Sequence, residues 1–372
     1  MYPASRAAKR LRVTGSSPRP DPFALIAPHL AEVRTSLQSM LGSGHPALAE
    51  IAKYYFLHPS KQVRPVIILL LSQATNGLGS DWTRKLWEAE SEGAGGREAE
   101  LDLPLSRPDV LNDWNPNMPT QTSRFSDTQH TLQPPFRHRP PLRRGAPSAP
   151  AAYGNKLAVL GGNFVLGRAS AALSRLGDPE VTELIASVIS NLVEGEILQT
   201  KDVKLDPSGD VSGRRRQEAW NIYLHKTYLK TASLMAKGAR SAVVLGGCKD
   251  GDVWKEMAYA YGRNIGIAFQ LMDDVLDYEY ASATLGKPAG ADLQLGLTTG
   301  PALYAWEEFP EMGELIERKF EQAGDVEQAR DIVLRSSGVQ RTRELAQAYS
   351  EKAKEAKAAL EALTERVIGR RS

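Results

Sequence analysis

Three aspartates stand together in the run Phe269-Gln270-Leu271-Met272-Asp273-Asp274-Val275-Leu276-Asp277. On a helix, Asp273 and Asp277 fall one turn apart on the same face, with Asp274 beside them. The apolar neighbours Ile267, Phe269, Leu271, Val275 and Leu276 would hold that helix against a core. Unpaired, the three charges repel one another, and a hard divalent cation resolves the conflict. Mg²⁺ suits the position because it takes oxygen ligands and binds one or two carboxylates together with substrate phosphates. Taken alone, the run also reads as a solvated acidic patch on a helix.

Short basic segments supply what such a cation would act on. Ser60-Lys61-Gln62-Val63-Arg64-Pro65 sets Lys61 and Arg64 ahead of an apolar helix, where cations and exposed N–H groups together attract anions. Arg143-Arg144-Gly145 follows a proline-rich stretch. Tyr223, Lys226-Thr227 and Lys230-Thr231 recur along one helical segment, and Gly286-Lys287-Pro288 follows the aspartates at loop distance. Each by itself is more often a surface cation than a ligand. With the aspartates they describe a pocket for two anionic groups bridged by metal.

The elements that must position these residues read as helices. Leu25-Ile26, Leu30, Val33, Leu37 and Leu41 recur at spacings of three and four. Pro65 fits the first turn of a helix over 66–74, which Asn76-Gly77 ends. Leu157, Leu160, Phe164 and Val165 begin a second stripe, punctuated by Gly177-Asp178-Pro179. Further helices are predicted over 181–199, 220–246, 253–280, 301–309 and 339–367, with a polar loop at 201–216. Between 79 and 142 the character changes: ten prolines fall between 101 and 150, with few periodic apolar residues. Such a segment buries too little surface to offset its ordering entropy and reads as a disordered insertion. The fold expected is all-α, with 22–78 and 143–372 forming one helical domain around the insertion at 79–142.

Bulk properties exclude several classes of function. The 372 residues are 42% hydrophobic and 24% charged, with a formal net charge of +2. That balance argues against nucleic acid as a partner. The single Cys248 excludes an intrachain disulfide and a cysteine-based zinc site. The strongest apolar run, Val66 to Leu71, is too short to cross a bilayer. No transmembrane segment is therefore expected, although peripheral membrane contact is compatible with the chain. Residues 1–21 carry Arg6, Lys9, Arg10, Arg12 and Arg19 with no acid before Asp21. This reads either as a mitochondrial transit peptide or as a basic tail.

The aspartate run preceded by Phe269-Gln270 resembles the second aspartate-rich motif of the trans-isoprenyl (polyprenyl) diphosphate synthases. Also similar are the KxxRP segment at 61–65, RRGxP at 143–147, Gly154-Asn155-Lys156-Leu157-Ala158, Glu194-Gly195-Glu196-Ile197-Leu198-Gln199 and Lys226-Thr227, in the same order. His58-Pro59-Ser60-Lys61 and the run from Gly154 to Gly167 look most like the mitochondrial hexaprenyl-type enzymes of ubiquinone biosynthesis. The resemblance implies an isoprenoid synthase-like helical bundle that condenses isopentenyl diphosphate with an allylic diphosphate. The allylic diphosphate ionises with the help of Mg²⁺, isopentenyl diphosphate attacks the cation, and a proton is lost. By the same resemblance, Asp273, Asp274 and Asp277 serve the metal. Lys226, Lys287 and Arg143 hold the allylic diphosphate, with Thr227 and Gln270 near the reacting end. Lys61, Arg64 and Arg144 hold isopentenyl diphosphate. A homodimer, or a heteromer with a homologue, and a mitochondrial location are implied as well.

The sequence departs from that family where its first aspartate-rich motif belongs. Ahead of Arg143 stand Pro134-Pro135-Phe136-Arg137-His138-Arg139-Pro140-Pro141-Leu142, a run that cannot be a helix interior. One core helix is thus missing, and His130 and His138 do not replace the family's substrate histidine. Gly162-Asn163-Phe164 replaces the usual Gly-Asp-Phe, and the segment from Ala358 to Leu363 looks shortened. The expectation is severely reduced or absent synthase activity for the chain as written. It is then an authentic synthase written without one segment, a catalytically silent partner subunit, or a product without function.

Overall fold

Helical periodicity governs the structure, a computed structural model that describes residues 21–41, 46–57, 62–77, 79–94, 142–143, 146–200, 211–279 and 290–369. The first group of helices is α1 (Pro22–Met40), α2 (Pro46–Leu57), α3 (Val63–Thr75) and α4 (Trp82–Ala94). A two-residue hairpin, β1 (Leu142–Arg143) antiparallel to β2 (Ala146–Pro147), turns through Arg144-Gly145. Then come α5 (Ala149–Ser174), α6 (Pro179–Thr200), α7 (Val211–Thr227), a π-helical turn at Tyr228–Ala232, α8 (Ser233–Leu245) and α9 (Val253–Glu279). The chain closes with α10 (Ala291–Gln294), α11 (Gly300–Glu308), α12 (Glu311–Glu317), α13 (Asp325–Arg335) and α14 (Gly338–Gly369). The all-α expectation holds.

The central element is α9, which packs along α8 on one side and α14 on the other. Its N-terminal half contributes Trp254 and Ala258 to a core shared with Ile67, Leu71, Met235 and Val243. Its C-terminal half contributes Ile267, Leu271 and Tyr278 to a second core with Leu303, Met312 and Ile332. Each fully buried Leu or Ile of this kind stabilises the fold by about 1.5–3 kcal/mol. Close approach to α8 depends on two glycines one turn apart. A Cβ at Gly262 would lie 2.3 Å from the Met235 carbonyl oxygen, and one at Gly266 would lie 2.6 Å from the Ala232 Cα.

Local signals explain several boundaries. Pro65 sits in the first turn of α3, and its end is set by Asn76 and by Gly77 at φ 86°. Asp178 begins α6 by accepting the Val181 N–H at 3.0 Å.

Four expectations change. Residues 82–94 are helical rather than part of a structureless insertion. No proline occurs between 79 and 100, so the composition of the later part masked a helix-forming stretch. Lys85 ties α4 to Asp178 at 2.6 Å, and the Asp81 N–H donates to the Gly247 carbonyl. The polar loop shrinks, because Val211 already begins α7. Two short helices, α12 and α13, fill 311–335, where too few periodic residues stand to announce them. Finally, Ala149–Ser174 is by length and composition apolar enough to cross a membrane, which corrects the expectation of no such segment. Gly154 breaks that helix (φ 78°, ψ 160°), and Lys156 and Arg168 interrupt its apolar run. The basic start, the segment 95–141, the loop 201–210 and the segment 280–289 lie outside the described residues.

Candidate active site

Leu271 and Val275 are completely buried on α9, and this anchoring sets the direction of the aspartates between and after them. Asp274 is 2% exposed and Asp277 8% exposed, whereas Asp273 is half-exposed. The buried pair is held by the protein itself. Asp274 accepts the Tyr223 hydroxyl at 2.7 Å through one oxygen and the Gln270 amide at 2.9 Å through the other. Asp277 accepts the Asp292 N–H at 3.1 Å, and its carbonyl accepts the Gly290 N–H at 3.2 Å. Asp277 thereby docks the chain where it returns after 280–289.

Facing α9 is the π-helical turn. One extra residue per turn shifts the register between α7 and α8, a feature frequent at functional sites. Thr231, inside that turn, donates to the Gln270 carbonyl oxygen at 2.8 Å. Gly195 allows α6 to approach: a Cβ there would lie 2.6 Å from the Lys230 Cγ. Glu196 then pairs with Lys230 at 2.6 Å. This accounts for Glu194-Gly195-Glu196 as a packing and pairing feature.

The electrostatics follow from burial. Burial pushes the Asp274 carboxyl above the ordinary carboxylate range, against the hydrogen bonds of Tyr223 and Gln270 and the charge of Lys226. Burial and the neighbouring Asp274 push the Tyr223 hydroxyl well above its usual value. Lys226 is lowered by burial, with the Asp274 charge opposing that shift, and its ammonium lies 5.8 Å from the Tyr223 ring centre. Thr227 is buried beside the Tyr223 hydroxyl.

The site residues expected from the sequence are therefore brought together only in part. Lys226, Thr227, Gln270, Asp273, Asp274 and Asp277 share the region between α7 and α9. Arg64 is exposed in the first turn of α3, which packs on α1 and α8. Arg143 lies in β1, its side chain outside the described residues; Lys61, Arg144 and Lys287 lie outside them altogether. Tyr223, Thr231 and Asp292 join the site, although the sequence singled out none of them as a ligand. The repeated Lys–Thr pair at a spacing of four was the available signal for Thr231.

A metal can be tested against this donor set. Among the described residues, no group of three or more His, Cys, Asp or Glu side chains is placed to hold a metal ion. Asp274 and Asp277 face protein donors, so the helix does not form a closed carboxylate cage. The donor chemistry fits Mg²⁺ held by Asp273 together with phosphate oxygens and water, the usual mode for that ion.

A sequence profile of the family described as polyprenyl synthetase matches residues 139–333. A probable mitochondrial hexaprenyl pyrophosphate synthase of Neurospora crassa is 44% identical over 366 residues, covering 94% of this chain and 79% of that protein. Decaprenyl-diphosphate synthase subunit 1 of Schizosaccharomyces pombe is 38% identical, covering 93% of this chain and 90% of that protein. Among solved structures, a polyprenyl synthase from Caulobacter crescentus, complexed with calcium and isoprenyl diphosphate, superposes with a TM-score of 0.65. It is 26% identical and covers 94% of this chain and 97% of its own.

Proposed function

The chain belongs to the polyprenyl synthetase family, and from that premise we propose that it condenses isopentenyl diphosphate with an allylic diphosphate. The product is a polyprenyl diphosphate for the ubiquinone side chain, made in the mitochondrion, the location in the name of the Neurospora relative. The observation that carries this reading is the aspartate run on α9, within the matched region and beside Lys226 and Thr231. Mg²⁺, when bound, neutralises the departing diphosphate. Asp273 supplies a carboxylate toward that ion. Lys226, Lys287 and Arg143 bind the allylic diphosphate as point charges and fork donors, with Thr227 and Gln270 at its reacting end. Lys61, Arg64 and Arg144 bind isopentenyl diphosphate.

Activity is impaired in the chain as written, because the run from Pro134 to Leu142 offers no carboxylate to face α9. Purified chain incubated with Mg²⁺, isopentenyl diphosphate and an allylic diphosphate should turn over far below 1 per second. A rate on the order of 1 per second, ordinary for an enzyme, would remove the impairment and leave the synthase reading intact.

A second reading, a silent partner subunit, is favoured by the exposed apolar side chains of α5 and α6. Val159, Leu160, Leu192, Val193 and Ile197 are each exposed by 44% or more. Faces of this kind mark association surfaces, and the Schizosaccharomyces relative is itself named a subunit. Co-expression with an active homologue tests it: stable co-purification with raised activity supports the partner role, and separate elution removes it.

A further inference from the structure

We propose that Asp274 is a positioning residue that orders a Tyr223–Asp274–Gln270–Thr231 chain, and that metal binding falls to Asp273. The positioning clause stands on geometry alone; the metal clause rests on the prenyl-synthase reading. Both Asp274 oxygens are occupied, one by the Tyr223 hydroxyl at 2.7 Å and one by the Gln270 amide at 2.9 Å. The Gly300 amide lies against the same carboxylate, so α7, α9 and α11 meet on this one side chain. A carboxylate can only accept. It therefore turns the Gln270 amide so that the nitrogen faces Asp274 and the oxygen faces Thr231. Thr231 must then donate to that oxygen, as it does at 2.8 Å.

A cation reaching Asp274 would have to displace a donor and leave either a buried phenol or a buried amide without an acceptor. Such a loss is costly away from water. Asp273, half-exposed on the same helix, carries no such conflict. The aspartates thus divide their work: Asp273 toward ligand, Asp274 toward the orientation of Gln270 and Thr231, and Asp277 toward the returning chain.

Thermal unfolding of the full chain and its variants tests this, first without metal and then with Mg²⁺ and inorganic pyrophosphate. Without metal, Tyr223→Phe combined with Asp274→Asn should lower the melting temperature by less than the sum of the two single losses. Simple additivity would overturn the positioning clause. Should Asp274→Asn fail to fold, Tyr223→Phe and Gln270→Leu carry the same test, because those side chains connect through Asp274; additivity there overturns the clause equally. With Mg²⁺ and pyrophosphate, the upward shift of the wild type should persist in Asp274→Asn and disappear in Asp273→Asn. The reverse pattern overturns the metal clause. Absence of any shift in the wild type sinks the metal clause together with the prenyl-synthase reading, while the metal-free coupling still decides the positioning clause.

Discussion

At the scale of single residues, burial separates groups that look alike in the sequence. Lys255 is charged yet only 3% exposed at its side chain, and its ammonium lies 2.6 Å from both Glu180 and Asp250. Burial alone would lower its pKa, but the two carboxylates outweigh that and raise it. The partners are not equivalent. Glu180 also receives Arg240 at 2.9 Å, whereas the Asp250 side chain is 96% exposed. Glu180→Ala should therefore cost about 1–3 kcal/mol in urea unfolding, the range for stranding buried charged donors. Asp250→Ala should stay within about 0.5 kcal/mol. Equal losses would contradict this account of the network.

Elements are joined by a few close contacts, and these are the places to perturb. Gly262→Ala places a methyl group against the Met235 backbone, which cannot yield as a flexible side chain would. The expected loss is about 1–3 kcal/mol, seen as a lower denaturant midpoint with an unchanged slope. The attachment of α4 depends on pH. Burial tends to raise the Asp178 pKa, but the hydrogen bonds from Lys85 and the Val181 amide win and lower it below 3.8. A depressed carboxylate pKa means stability that is present above the unfolded value and lost as pH falls through the folded one. Acid below about pH 4 should accordingly release α4, reported by fluorescence of Trp82 and Trp87 on that helix. Lys85→Met should abolish the acid step by removing the partner that lowers the pKa. An acid transition unchanged in that variant would refute the link.

For the whole molecule, the question is what covers α5 and α6. Their exposed faces carry Val159 and Leu160 on one helix and Leu192, Val193 and Ile197 on the other. A second copy, or a homologue with the same surface, would bury both stripes at once. Leu192→Arg together with Val159→Arg should shift the sedimenting species to a monomer while circular dichroism stays helical. Retained self-association in that variant would place the interface elsewhere.

The sequence by itself determined the fold class, the order of the long helices and the place of the aspartate run. These follow from local periodicity, with apolar residues every three or four positions and glycine or proline at the ends. Short helices such as α12 and α13 lacked enough repeats to stand out, and α4 was hidden by its proline-rich neighbour. The tertiary structure alone decided which aspartate faces which partner. Asp273 and Asp274 are adjacent in sequence, yet a rotation of one residue about α9 sends one toward solvent and the other toward Tyr223. Periodicity names a face, but only the packing of α7, the π-helical turn and α11 around α9 supplies the donors that occupy it. Thr231 became part of the site for the same reason, since its partner Gln270 is distant in the chain and is met only through the approach that Gly266 permits.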